Sequence, residues 1–586
     1  MLLPGIFVLL NQRPQKYELR YNMLLTKLLG FQAVGAAVVS SSAYTGYTTG
    51  SSNRLAHLPV PAETYPPLLD ATLEDLRKGL DTGAFSSLNL VDAYIKRIEE
   101  VNPRLRAVTE INPDARTIAK KLDEERKKRG SNLGPLHGIP ILVKNTIATA
   151  DKMNNTAGSF ALLGAKVPED SKVIERLRKA GAIILGKSNL SQWANVRGNI
   201  PNGWSSHGGQ IIGPYHPGQD PLGSSSGSTV ASALGLAWAA LGVETSGSII
   251  TPAQVANVVG IKPTVGLTSR YLVIPSSERF DTVGPIARTV TDAAYLLSAI
   301  AGKDTKDPYT AAIPFDNVPD YSTACNVSGL KGRRIGVPRH LFKKSGPSIS
   351  AFESALKTIR DAGAEVVDVT IPGIPELNAR APNVFSRVLG ADFKTNLAEY
   401  LSHLSSNPHG IKSLEALRFF TIINPKEEHP QRDMASWDWI VRHGLDGKSE
   451  AAQQDRYTMM EVACGREPSV SLCLTGVLKE EKLDAIVFPS SEPAAIFSAT
   501  LVGSPVITVP LGRTPESTPS KLNSYGNLNE TGPNTPFGIA FSGAKWSEET
   551  LIGMAFAFEQ ETQVRKSIKP HVQPQTELAN ILQTGS

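Results

Sequence analysis

Cysteine is scarce in this chain of 586 residues, which holds only Cys325, Cys464 and Cys473. An odd, sparse set builds no disulfide framework, and without a C-x-x-C pair a cysteine zinc site has no basis. One bridge stays open if the protein is secreted. Aromatic residues are also few, at 6%. No basic stripe with interleaved aromatics occurs, so nucleic acid is not an expected partner. Neither sign of charge dominates: 60 Lys and Arg against 55 Asp and Glu leave a net +5. No apolar run is long enough to cross a bilayer as a helix, so no integral membrane span is expected. What is present is 41% hydrophobic and 20% charged residues. That is the composition of a soluble, globular protein, long enough for one large or two ordinary domains. No pattern calls for a metal or an organic cofactor.

Residues 1–66 read as a leader and linker. Met23 opens a second start, followed by a mostly apolar stretch from Leu28 to Val39 and small residues up to Ala43. This has the form of a signal peptide over 23–43, cleaved near Ala43, which would make the protein secreted. The alternative is a chance apolar run in a cytoplasmic protein. Asn154, Asn326 and Asn529 stand in N-x-S/T sequons that a secretory host could glycosylate.

From residue 67 to about 575 the pattern is that of one α/β catalytic domain. Ser87 is the expected N-cap of a helix carrying Leu90, Val91, Tyr94, Ile95 and Ile98. Ile139–Val143 reads as a buried strand. Val173, Ile174, Leu177 and Ala180 mark a helix that Gly181 stops, and Ala182–Leu185 is the strand after it. Arg334–Val337, Glu365–Val369, Asp484–Phe488 and Val506–Val509 are further strands. Phe352–Ile359 and Glu548–Glu559 are helices. Such alternation implies a layered α/β fold. Residues 375–480 are more polar and read as a helical insertion over the sheet.

Three segments carry chemistry. In Gly134–Lys144 a lysine ends an apolar strand, where desolvation would lower its pKa toward that of a base. Taken alone, such a lysine more often snorkels to solvent. Gly223-Ser-Ser-Ser-Gly-Ser228 precedes a small-residue stretch, Thr229–Ala240, expected to be helical. It also fits G-x-S-x-G with Ser225 central. A nucleophile elbow needs a strand just before it, however, and Pro214–Leu222 cannot be one. Gly242–Ile249 places Ser248 beside Gly247, where backbone amides can approach an oxyanion.

Together these segments resemble the Ser-rich core of the amidase signature family. Val259-Gly-Ile-Lys-Pro-Thr264, Asp281-Thr-Val-Gly-Pro285, Ala157-Gly-Ser159, Ala180–Asn189 and Pro505–Gly512 continue the likeness in order. Asn202–Ser205, Gly208–Gln210 and Thr264–Arg270 look closest to its peptide-amidase-like branch. The resemblance implies a mixed central sheet covered by helices on both faces. It implies an amidohydrolase that cleaves a carboxamide through an acyl-enzyme on Ser248. Ser224 would follow a cis peptide bond, Lys144 would be the general base, and Thr245, Ser246 and Gly247 would bind the oxyanion and substrate. The expected partner is a small-molecule or peptide amide. Two other roles share this core: the glutaminase-type subunit of a tRNA-dependent amidotransferase, and a non-catalytic amide-binding relative. Four residues depart from the family pattern. Asn145 and Gln192 stand where Asp and Glu are usual, Ser246 where the branch has Asp, and Ile250 where many members have Arg.

Overall fold

The computed structural model describes residues 65–130, 133–343, 345–465 and 472–584. The expected leader, with its signal peptide at 23–43, lies outside the described residues.

Eleven strands form one sheet. They are β1 (Val108–Ile111), β2 (Pro140–Lys144), β3 (Ile183–Ser188), β4 (Ala239–Glu244), β5 (Val259–Lys262), β6 (Thr282–Ala287), β7 (Arg334–Val337), β8 (Glu365–Asp368), β9 (Ala485–Pro489), β10 (Val506–Arg513) and β11 (Pro536–Ser542). Their spatial order is β1-β3-β2-β4-β6-β5-β10-β11-β9-β7-β8. The trio β3-β2-β4 is parallel, as is β9-β7-β8. Every other pairing is antiparallel, so the sheet is mixed.

Alternate side chains of a strand point to opposite faces, and here both faces are buried. In β9, Ala485 and Val487 enter the main core, whereas Ile486 and Phe488 enter a second one. Helices Pro347–Asp361 and Glu548–Thr562 cover the first face, contributing Phe352, Leu356, Leu551 and Ile552. Helices Gly373–Arg380 and Pro493–Val502 cover the second with Ile374, Leu377, Ala495 and Ile496.

Three sequence expectations need correction. The helix after Ser228 does not reach Ala240. It spans Ser226–Ala233, and Gly235 adopts φ +58°, a left-handed conformation that ends it and redirects Ala239–Glu244 into the sheet. The helix assigned to Ser87 is capped by Ser86, in a reciprocal capping box with Asn89. Packed chain also continues past residue 575, since Leu578 and Ile581 join the main core.

Among the described residues, the region read as an insertion is helical. Its helices are Gly373–Arg380, Val384–Ser402, Leu414–Ile423, Ala435–Arg442, Glu450–Cys464 and Leu474–Glu480. A disulfide joins Cys464 to Cys473, and Cys325 is free. Among the described residues, no helix is long and apolar enough to cross a membrane.

Candidate active site

Lys144 ends β2, and β4 runs parallel beside it with Val143 opposite Leu241. The two strands therefore deliver their carboxyl ends to the same edge. The Lys144 side chain is fully buried there. Its Nζ lies 2.8 Å from Ser224 Oγ, 3.0 Å from Ser225 Oγ and 3.0 Å from the Val243 carbonyl. Burial drives its pKa down to about 7, against the opposing pull of Asp281 and Glu244. Lys187 on β3 is brought to about 7 by the same desolvation, but its ammonium meets the Ile147 carbonyl and Asn155 Oδ1 instead. A low pKa thus does not single out Lys144; its contact with the serine turn does.

The Gly223–Ser224 peptide bond is cis. The Ser224 carbonyl accepts the Ser191 N–H at 3.1 Å, and Ser225 donates its own N–H to the Ser248 carbonyl at 3.0 Å. Ser225 Oγ donates to the Val243 carbonyl at 3.1 Å. Ser225 is therefore a buried clamp between this turn and β4, which removes the nucleophile-elbow reading. The Thr251 hydroxyl lies 3.0 Å from the Gly223 carbonyl and 2.6 Å from that of Gly247, so it bridges the two serine turns.

Ser248 follows β4 in a turn made possible by Gly247 at φ +82°. It keeps 9% of its surface exposed, while Lys144 and Ser224 keep none. Glu244, the last residue of β4, organises this turn. Its carboxylate accepts N–H bonds from Gly247 at 2.7 Å, Ile249 at 2.7 Å and Ile250 at 3.0 Å. The Gly247 amide is thereby committed to Glu244, contrary to the expectation that it faces an oxyanion. Thr245 is held by its hydroxyl, which donates to Asp281 Oδ1 at 2.6 Å. Burial raises the pKa of Asp281, and bonds from Thr245, Ser276 and Ser277 oppose that rise. Among the described residues no cluster of His, Cys, Asp or Glu could hold a metal ion.

Residues 89–552 match the family model described as Amidase. The chain belongs to the amidase family. A relative in Arthroderma benhamiae, named as an amidase, is 48% identical over 88% of this chain and 90% of its own length. The solved structure of the peptide amidase from Stenotrophomonas maltophilia is 37% identical, with a TM-score of 0.75 over 87% of this chain and 99% of that one. A glutamyl-tRNA(Gln) amidotransferase subunit from Chloroflexus aurantiacus is 40% identical, but over only 51% of this chain and 60% of that protein. A subunit of the same name from Prochlorococcus marinus matches over 78% of this chain but is only 32% identical, so the higher full-length identity is to amidases. The protein is a hydrolase of carbon–nitrogen bonds other than peptide bonds.

The four departures from the family pattern are all accommodated. Asn145 turns away from the Lys144 amine. Its Nδ2 donates to Thr156 Oγ1 at 2.9 Å, and its Oδ1 accepts the Thr156 N–H at 3.0 Å. Gln192 is buried between two charged residues. Its Nε2 donates to Glu427 Oε2 at 2.7 Å, and its Oε1 accepts from Arg197 at 2.6 Å. Glu427 comes from the insertion and forms a fully buried ion pair with Arg197. Ser246 Oγ lies 3.0 Å from Thr500 Oγ1 of helix Pro493–Val502. Ile250 packs into the second core with Phe280, Phe385 and Ile496.

An aromatic cluster lies in the second core, which also takes in Ile250 and Ile496 near this turn. Phe385 of the insertion meets Phe280 at 5.1 Å and Phe497 at 4.7 Å between ring centroids. Phe280 adjoins Asp281, the partner of Thr245. Phe497 lies between Ile496 and Thr500, which approach Gly247 and Ser246. Sequence reading missed Glu244, Thr251, Glu427 and this cluster. Glu244 lay inside a quoted motif and could have been noticed as a carboxylate just ahead of several helix-start amides. The others depend on long-range contacts.

Proposed function

We propose that this amidase works through a Ser248–cisSer224–Lys144 triad and an acyl-enzyme. The observation that carries the reading is the 2.8 Å contact between the desolvated Lys144 amine and Ser224 Oγ. Neutral Lys144 accepts the Ser224 proton as Ser224 accepts that of Ser248. Ser248 Oγ then bonds to the carboxamide carbon, and the carbonyl electron pair moves onto oxygen. Backbone amides of Thr245, Ser246 and Ser248 are the remaining candidates to meet that charge, because Gly247 is committed to Glu244. The intermediate collapses with cleavage of C–N. Lys144 returns the proton through Ser224 to the departing nitrogen, and water then releases the acid by the same relay.

The aromatic cluster, together with Ile250 where many relatives carry Arg, supports a substrate with an apolar group beside the reacting carbonyl. Likeness to a peptide amidase supports a peptide amide or a comparable carboxamide. The Cys464–Cys473 disulfide supports a secreted protein, since such bonds persist in oxidising compartments. A retained lysine–serine contact favours an active enzyme over a non-catalytic binder.

A serine-directed fluorophosphonate tests the assignment. It should label Ser248 alone, and Ser248→Ala should lose both labelling and amide hydrolysis. A label mapped to Ser225 or Ser226 would overturn it.

A further inference from the structure

We propose that Asn326 carries an N-linked oligosaccharide and that the other sequons remain bare. Four Asn-x-Ser/Thr tripeptides fall within the described residues, at Asn154, Asn189, Asn326 and Asn529. In three of them the fold already uses the carboxamide nitrogen that a glycan would need. Asn189 is fully buried, and its Nδ2 donates to the Arg106 carbonyl at 2.9 Å. Asn154 Nδ2 lies 3.3 Å from both Glu110 carboxylate oxygens, while its Oδ1 accepts the Gly164 N–H at 3.0 Å. Asn529 Nδ2 donates to the Pro217 carbonyl at 2.8 Å. Each of these nitrogens is already packed against an acceptor of the fold, whereas a sugar needs open space around it.

Asn326 differs. It is exposed, in the loop between the turn Tyr321–Ala324 and β7. Its Oδ1 accepts the Ser328 N–H at 2.8 Å, closing a local turn, and its Nδ2 donates to no described residue. The middle residue, Val327, is 70% exposed, so the whole tripeptide stands clear of the protein surface. A second observation supplies the compartment: the Cys464–Cys473 disulfide fits the same oxidising lumen in which N-glycosylation occurs.

The donor would be an oligosaccharide held on a polyisoprenoid diphosphate by the host's transferase. Asn326 Nδ2 forms the bond to the anomeric carbon, and the anomeric carbon–oxygen bond breaks. The diphosphate departs with the electron pair, and the amide proton passes to a base of the transferase. The loop packs on helix Glu548–Thr562, with Gly329 against Gly553. That helix covers the face of the sheet opposite the helix that approaches Ser246, so the glycan leaves the candidate site open.

The test is to express the full chain in a eukaryotic secretory host and digest it with a peptide N-glycosidase in heavy-oxygen water. The tryptic peptides are then mapped by mass. The expected result is conversion of Asn326 alone to labelled aspartate. Asn326→Gln should abolish the mobility shift and leave amide hydrolysis unchanged. An unmodified Asn326, or a label at Asn154, Asn189 or Asn529, would overturn the proposal.

Discussion

The carboxylate of Glu244 accepts the amide proton of Gly247 at 2.7 Å, one residue before Ser248. The same carboxylate takes the amides of Ile249 and Ile250, so it spans Ser248 without bonding to it. Glu244→Ala releases all three amides and lets the turn relax. The expected outcome is a fall in kcat of about 10²-fold or more, the scale of a lost oxyanion donor, with KM little changed. Steady-state kinetics that show a raised KM and an intact kcat would assign Glu244 to substrate binding instead.

Lys144 sets the second prediction. Its amine is brought to about 7 by burial, and in the proposed role it must be neutral to accept a proton. The value of kcat/KM should therefore rise with pH through about 7 and level off above it. Lys144→Ala should remove that limb and lower the rate by about 10²–10⁴-fold, the usual worth of general-base catalysis. A limb unchanged in the variant would mean that another group is titrating.

Asn145→Asp tests whether the neighbouring residue tunes this base. The Asn145 carboxamide is bound to Thr156 on the side away from the amine. Successive strand residues point to opposite faces, and the new charge would act only at a distance. The acidic limbs of the two enzymes should superimpose to within about 0.3 pH unit. A larger rise in the variant would show direct coupling.

Gln192→Glu places a second carboxylate where Gln192 now donates to Glu427 at 2.7 Å. Two buried carboxylates in contact cannot both stay ionised, and one pKa must rise. The variant should lose on the order of 3 kcal/mol of stability at neutral pH. The sign follows from the raised folded-state pKa. The penalty is full above that value and fades as pH falls through the ordinary carboxyl range near about 4. Denaturation midpoints across pH check this, and Glu427→Gln in the same chain should restore much of the loss.

Phe497→Ala probes the aromatic cluster with a half-buried residue. KM for amides with a bulky apolar acyl group should rise about tenfold, equivalent to about 1.4 kcal/mol. Turnover of a small acyl amide should stay level. Equal losses on both substrates would mean that the ring supports the turn and does not select substrate.

Much of the sheet was legible because its strands are short apolar runs between glycines, prolines and charges. Pro140–Lys144, Ile183–Ser188 and Val506–Arg513 all begin within one residue of where their patterns place them. Ala239–Glu244 was misread because Leu236-Ala-Trp-Ala-Ala240 has the composition of a helix, while the helix ends at Ala233, with Gly235 at φ +58°. Lys144, Ser224 and Ser248 fall in motifs that survive without spatial information. Glu427 could not be found that way. It reaches Gln192 from 235 positions away, and nothing local marks it as a partner.

Lys144 and Glu244 end adjacent parallel strands, so backbone hydrogen bonding fixes the spacing between this lysine and the Ser248 turn. The aromatic cluster near that turn is drawn partly from a separate helical excursion, through Phe385. The lysine–serine contact and this cluster therefore reside on parts of the chain that can change independently. Under the proposed triad, substitutions in the excursion should retune which amide is accepted while the spacing set by β2 and β4 is unchanged.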